Sequence, residues 1–166
     1  MFFELIAVFV AGFAGAGAAM ILRKMTGGRL PRWLVPVGAG AAMLAATISS
    51  EYTWYARTAA ALPEDMQVAQ TVESRAAWRP WTYVFPLTDR FVAVDVGGLR
   101  ANRQTTDLYL AEMAFFARWR PVTQVQIMVD CAGNRRADPT MGDGSDPVWR
   151  DVGPEDPVVQ TVCAET

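Results

Sequence analysis

The 166-residue chain contains no histidine. That absence excludes Ser-His-Asp and Cys-His catalysis, histidine-ligated zinc or haem, and imidazole pH switching. Lys24 is the single lysine, and the 15 cationic residues are outnumbered by 17 acids. A strongly basic nucleic-acid surface is therefore not expected. There are two cysteines and no C-x-x-C pair, so nothing evident lowers a thiol pKa for redox work. Gly97-Gly98 lacks the further glycines of a phosphate loop and reads as a turn. No nucleophile-base pair, carboxylate dyad or cofactor fingerprint stands out. The expectation is a non-enzyme with no cofactor, no resident metal and no evident small-molecule substrate.

What is present is apolar. Hydrophobic residues make up 52% of the chain and charged residues 19%. Ordinary domains run at about 45–50% and about 25%. Disorder over the whole length is excluded. The excess is not spread evenly. Residues 1–55 are almost wholly apolar, whereas residues 56–166 read as a water-soluble domain with net charge -4.

Two runs, about 1–22 and 33–55, are each long enough to cross a hydrocarbon core of about 30 Å. Trp33 marks one end of the second run, and Tyr52, Trp54 and Tyr55 mark the other, as a membrane interface selects. Pro36 falls in a first turn, where its missing N–H is harmless. Between the runs, residues 23–32 carry Arg23, Lys24, Arg29 and Arg32 and no acid. The positive-inside rule places this loop in the cytoplasm. The N-terminus and residues 56–166 then lie outside, in the periplasm if the cell is bacterial. The preference for arginine over lysine hints at a GC-rich bacterial genome.

A cleaved signal peptide fits less well, because the positive charge follows the apolar run instead of preceding it. A soluble helical hairpin would need polar residues at helical spacing, and neither run has them. Ala11, Gly15 and Ala19 repeat every four positions, as do Gly12 and Ala16, and Gly38, Ala42 and Ala46. Such faces let two helices approach closely. No ionisable residue sits deep in either run, so a proton or ion path is not expected.

Residues 56–62 continue the second helix. Pro63-Glu64-Asp65 either stops it or starts a new element. Residues 66–77 fit a strand or a helix face equally. Beyond them a small, mainly antiparallel β domain is expected, partly covered by the segment near residue 70. Strands are read at 81–85, 91–96 (ending at Gly97-Gly98), 107–119 (broken by Arg120-Pro121), 122–131 and 158–163, with a long surface loop over 133–153. Val92, Val94 and Val96 share one face; Val125, Ile127 and Val129 face inward.

Cys131 and Cys163 end two of these strands, and a disulfide between them is expected in an oxidising compartment. Asp138, Asp143, Asp146 and Asp151 form an acidic loop whose spacing is not that of an EF-hand. Arg135-Arg136 suits a carboxylate or a phospholipid headgroup, with a surface salt bridge the blander role. Trp78, Arg79, Trp81 and Tyr83 form the most distinctive string. It fits a contact with a partner or the membrane as well as it fits the domain core.

The expectation is a two-span transmembrane hairpin followed by an extracytoplasmic domain. Its partners are the lipid bilayer and an integral membrane protein complex. The function expected is a non-catalytic accessory or assembly subunit of a respiratory- or photosynthetic-type inner-membrane complex. The alternative is a free-standing, membrane-anchored periplasmic binding or sensing module.

Overall fold

A computed structural model describes residues 2–102, 105–139 and 147–165. The chain divides into two compact units, Met1–Trp54 and Tyr55–Thr166. The first holds helix α1 (Phe2–Met25) and most of helix α2 (Leu34–Ala60). Both are long and apolar enough to cross a membrane.

The two helices touch through their small residues. Gly12 and Ala19 are buried on α1. A Cβ placed on Gly15 would stand 2.5 Å from the Ala42 Cβ and 2.5 Å from the Gly38 carbonyl oxygen. Ser50 donates a hydrogen bond of 3.3 Å to Glu4 at the other end of the pair. At the turn, Gly27 and Gly28 take φ of +65° and +79°. Their N–H groups donate to the carbonyls of Lys24 and Arg23, closing α1 with an αL cap that favours glycine. Gly15→Leu is expected to drive the helices apart, because the Gly38 carbonyl and the Ala42 methyl, fixed to its backbone, cannot swing aside. The loss should reach about 1–3 kcal/mol or more. Gly17 has nothing within 4 Å, so Gly17→Leu is the control and should be neutral. Thermal melting of both variants in mild detergent checks this.

The second unit is one six-stranded antiparallel meander, curled into a half-barrel. Its strands are β1 (Met66–Ser74), β2 (Leu87–Ala101), β3 (Leu108–Ala117), β4 (Arg120–Asp130), β5 (Arg135–Ala137) and β6 (Trp149–Asp151). Spatial order follows chain order. A short 3-10 turn (Pro80–Tyr83) joins β1 to β2, and helix α3 (Pro157–Ala164) ends the unit.

Several sequence expectations are corrected. Residues 66–77 are not a covering segment; β1 is an edge strand, and α3 covers the sheet. Residues 158–163 are not a strand. Asp156 accepts hydrogen bonds from the N–H groups of Val158 and Val159, and Pro157 opens the helix. Residues 81–85 are not a strand either, since the 3-10 turn takes most of them. The 133–153 region is not all loop; it contains β5 and β6. β2 does not end at Gly97-Gly98 but bulges there and continues to Ala101. The 107–119 strand ends at Ala117, two residues earlier than expected, and Arg120-Pro121 open β4. Ala117 pairs with Arg120 across a turn at Arg118-Trp119, and the register slips beside Pro121, which has no N–H to give.

Both faces of this sheet are covered in part. On the inner face, Val94, Met113, Ile127 and Val129 pack against Val158, Val159 and Val162 of α3. An eight-residue helix would not hold alone in water, so these three valines hold it. On the outer face, Phe91 is 1% exposed. Its ring stacks on Phe116, with centroids 4.6 Å apart, and Tyr55 meets it edge-on at 5.4 Å.

Candidate functional site

Cys131 and Cys163 are joined by a disulfide, with Cα atoms 5.8 Å apart. The bridge pins α3 to the end of β4 beside the inner core. Arg23 and Lys24 form the last turn of α1, where positive charge suits the helix dipole. The Arg23 Nε donates to the Leu30 carbonyl at 3.2 Å, which folds the loop over. Arg29 and Arg32 follow in the connection, so all four cations lie at or beside the α1–α2 turn.

The 78–85 segment is held by one polar peg. Thr82 is 2% exposed. Its hydroxyl donates to the Arg79 carbonyl at 2.7 Å and accepts from the Ala76 N–H at 3.0 Å. With Thr82 turned in, the aromatics turn out. Trp78, Tyr83, Val84 and Phe85 are mostly exposed, and Trp81 is about half so. The string is thus surface and not core. The meander adds a residue that the sequence did not suggest. Trp119 sits at the β3–β4 turn and is exposed. In a meander the β1–β2 and β3–β4 connections emerge at the same end of the sheet. The Arg118 N–H donates to the Asp89 carbonyl at 2.9 Å and ties the β3–β4 turn to the start of β2. The result is an exposed aromatic rim at one end of the domain. Tyr55, the first residue of the unit, lies against Phe91 in the half of the sheet nearer that rim.

Arg135 and Arg136 do not act as one group. Adjacent residues on a strand point to opposite faces. Arg135 turns to the outer face, where its Nε donates to Asp130 at 3.1 Å and its guanidinium lies 5.4 Å from the centre of the Trp149 ring. The Gly133 N–H and the Arg135 guanidinium hold the Asp130 carboxyl below the usual carboxylate range. Arg136 turns to the inner face, opposite Val129 on one side and Arg150 on the other. There the two arginines stand at one wall of a cleft of about 360 Å³. All six strands and α3 line it, and its floor includes Val92, Phe115, Val125 and Ile127.

The acidic loop resolves only in part. Asp138 pairs with Arg150 at 3.4 Å, and Asp151 lies opposite Arg135. Asp143 and Asp146 fall outside the described residues. Among the described residues, no three His, Cys, Asp or Glu side chains gather where a metal could be held.

Comparison with known proteins adds no relative: no protein-family model matches the chain, and no curated protein or solved structure matches it either.

Proposed function

We propose that the chain is a non-catalytic accessory or assembly subunit of a larger bacterial inner-membrane complex. In this reading the two apolar helices span the membrane, and the Arg23–Arg32 loop faces the cytoplasm. The N-terminus and the Tyr55–Thr166 unit lie in the periplasm. The hairpin docks in the membrane, and the domain braces the complex from outside.

The observation that supports it is the rim. Trp78, Tyr83, Phe85 and Trp119 are large apolar groups left open to solvent, in the half of the sheet where the chain enters the domain. Exposed aromatics gathered at one place are what interface centres are built from. Phe2, Phe3, Phe9 and Phe13 are exposed on α1 and give the hairpin a bulky apolar surface of its own.

The test is extraction in mild detergent followed by identification of co-purifying chains at fixed ratio. The triple change Trp78→Asp, Tyr83→Asp, Phe85→Asp is expected to lower that recovery at least tenfold, the equivalent of about 1.4 kcal/mol. It should leave domain melting unchanged, since all three side chains are exposed. A protein that purifies alone as a monomer overturns this reading and favours the free-standing binding module.

A further inference from the structure

We propose that the inner-face cleft binds an amphiphile with one acyl chain and an anionic headgroup, either a carboxylate or a phosphate. Three observations meet there. First, Arg136 and Arg150 are directly opposite on β5 and β6. Side chains so placed stand about 5 Å apart at Cβ, and like charges in that position repel. Second, the carboxylates beside them are weak answers to that repulsion. Asp156 reaches Arg136 only at 3.6 Å, and its other oxygen is occupied in capping α3. The Arg150–Asp138 pair is more than two-thirds exposed on both sides, where an ion pair contributes little. Each guanidinium carries five N–H donors, so one ion pair leaves several for a second acceptor. An anion set between them would satisfy both and remove the repulsion.

Third, the floor beside the arginines is apolar and not closed over. Phe115 is 41% exposed, and Val92 and Val125 are half-buried, whereas Ile127 and Val158 seal the end under α3. Ligand sites run from about 300 to 1,000 Å³, so 360 Å³ is room for one chain and not a pair. An anionic head at the arginines lays its tail along Val92, Phe115 and Ile127. Both halves of the cleft are then used by one molecule. This binding is independent of the accessory role, since the cleft and the rim are formed by different residues.

The experiment uses the full chain in zwitterionic lipid nanodiscs. The probes are a diazirine-bearing palmitic acid, the matched alcohol and the matched lysophosphatidate, with cross-linked peptides read by mass spectrometry. The expected result is labelling of 113–127 and of the start of α3 by an anionic probe, with the alcohol at least tenfold weaker. The double variant Arg136→Gln, Arg150→Gln should reduce anionic labelling at least tenfold and leave the alcohol unchanged. Val125→Trp, which fills the cleft, should remove both. An unchanged melting temperature and an intact disulfide show that the variants are folded. If only one anionic probe labels, that headgroup is the ligand. The proposal is overturned if acid and alcohol label alike, or if labelling is confined to residues 2–25 and 34–60, where bulk lipid would meet the chain.

Discussion

Phe91→Ala is expected to lower the stability of the Tyr55–Thr166 unit by about 3–5 kcal/mol. Phe91 is 1% exposed, and the rings of Phe116 and Tyr55 reach it from distant parts of the chain. Phe116 stacks flat on it from β3; Tyr55 covers it from the end of α2. Removing the ring leaves a void between the face of Phe116 and the edge of Tyr55. Phe116 is fixed in the β2–β3 ladder by its pairing with position 91. Domains are stable by only about 5–15 kcal/mol, so a large part of the total is at stake. For a unit of this size the melting temperature should fall by about 15 °C. Near-UV circular dichroism, followed on heating in mild detergent, reads this directly. Phe91→Leu should lose distinctly less. In a double-mutant cycle with Tyr55→Ala, a coupling of about 0.5–1.5 kcal/mol is expected from the edge-to-face contact. A loss below about 1 kcal/mol for Phe91→Ala would show that the outer face is not a core.

Much of this arrangement was legible in the sequence, and the limits are physical. Two apolar runs separated by a cationic turn read as a helical hairpin because no strand pattern is that long. Alternation gave the inner face correctly at Val92, Val94, Val125, Ile127 and Val129. It concealed the second buried face. Phe91, Ala93 and Ala114 are as buried as Val94, and a strand buried on both sides shows only a continuous apolar run. Residues 158–163 fit a strand or a helix almost equally, because Val158, Val159 and Val162 satisfy both patterns over so few positions. The deciding signal was Asp156-Pro157, an N-cap followed by Pro at the first helical position. β5 and β6 are three residues each and carry no periodicity to detect. The Gly- and Asp-rich composition around them outweighed the pairing that long-range contacts impose.

The candidate sites divide in the same way. Trp78, Arg79, Trp81 and Tyr83 stand out by composition, which fits surface and core alike. Thr82 decides it, because a single hydroxyl with two backbone partners turns inward and forces its neighbours out. Nothing in the sequence marks Trp119 or Arg150 as a site residue. Each matters only through a partner that the sheet brings near it: the β1–β2 connection for one, Arg136 for the other. Arg135-Arg136 looked like a single grip in sequence. The pleat separates the two guanidiniums onto opposite faces, and the sheet instead sets Arg136 opposite Arg150.

Cys131→Ser with Cys163→Ser is expected to destabilise the same unit by about 3–4 kcal/mol. The bonded residues are 32 positions apart, and the chain-entropy cost of leaving such a loop unclosed is about that size. The damage should be local first. α3 has eight residues and too few helical hydrogen bonds to persist alone. It is held by Val158, Val159 and Val162 on the inner core and by the bridge at Cys163. Without the bridge, hydrogen exchange should speed up in α3 and at the end of β4. The β2–β3 ladder should keep its protection until global unfolding. Reductant applied to the unaltered protein should reproduce the same pattern. Uniform acceleration across the sheet would mean that the bridge acts on the whole domain and not on the helix it holds. The same cysteines report where the domain resides. Disulfides persist in oxidising compartments. In growing cells, a membrane-permeant alkylating reagent added before lysis should therefore modify neither cysteine. Both should react only after reduction. Modification without reduction would place the domain in a reducing compartment and reverse the proposed orientation of the hairpin, while leaving the fold and the cleft as they are.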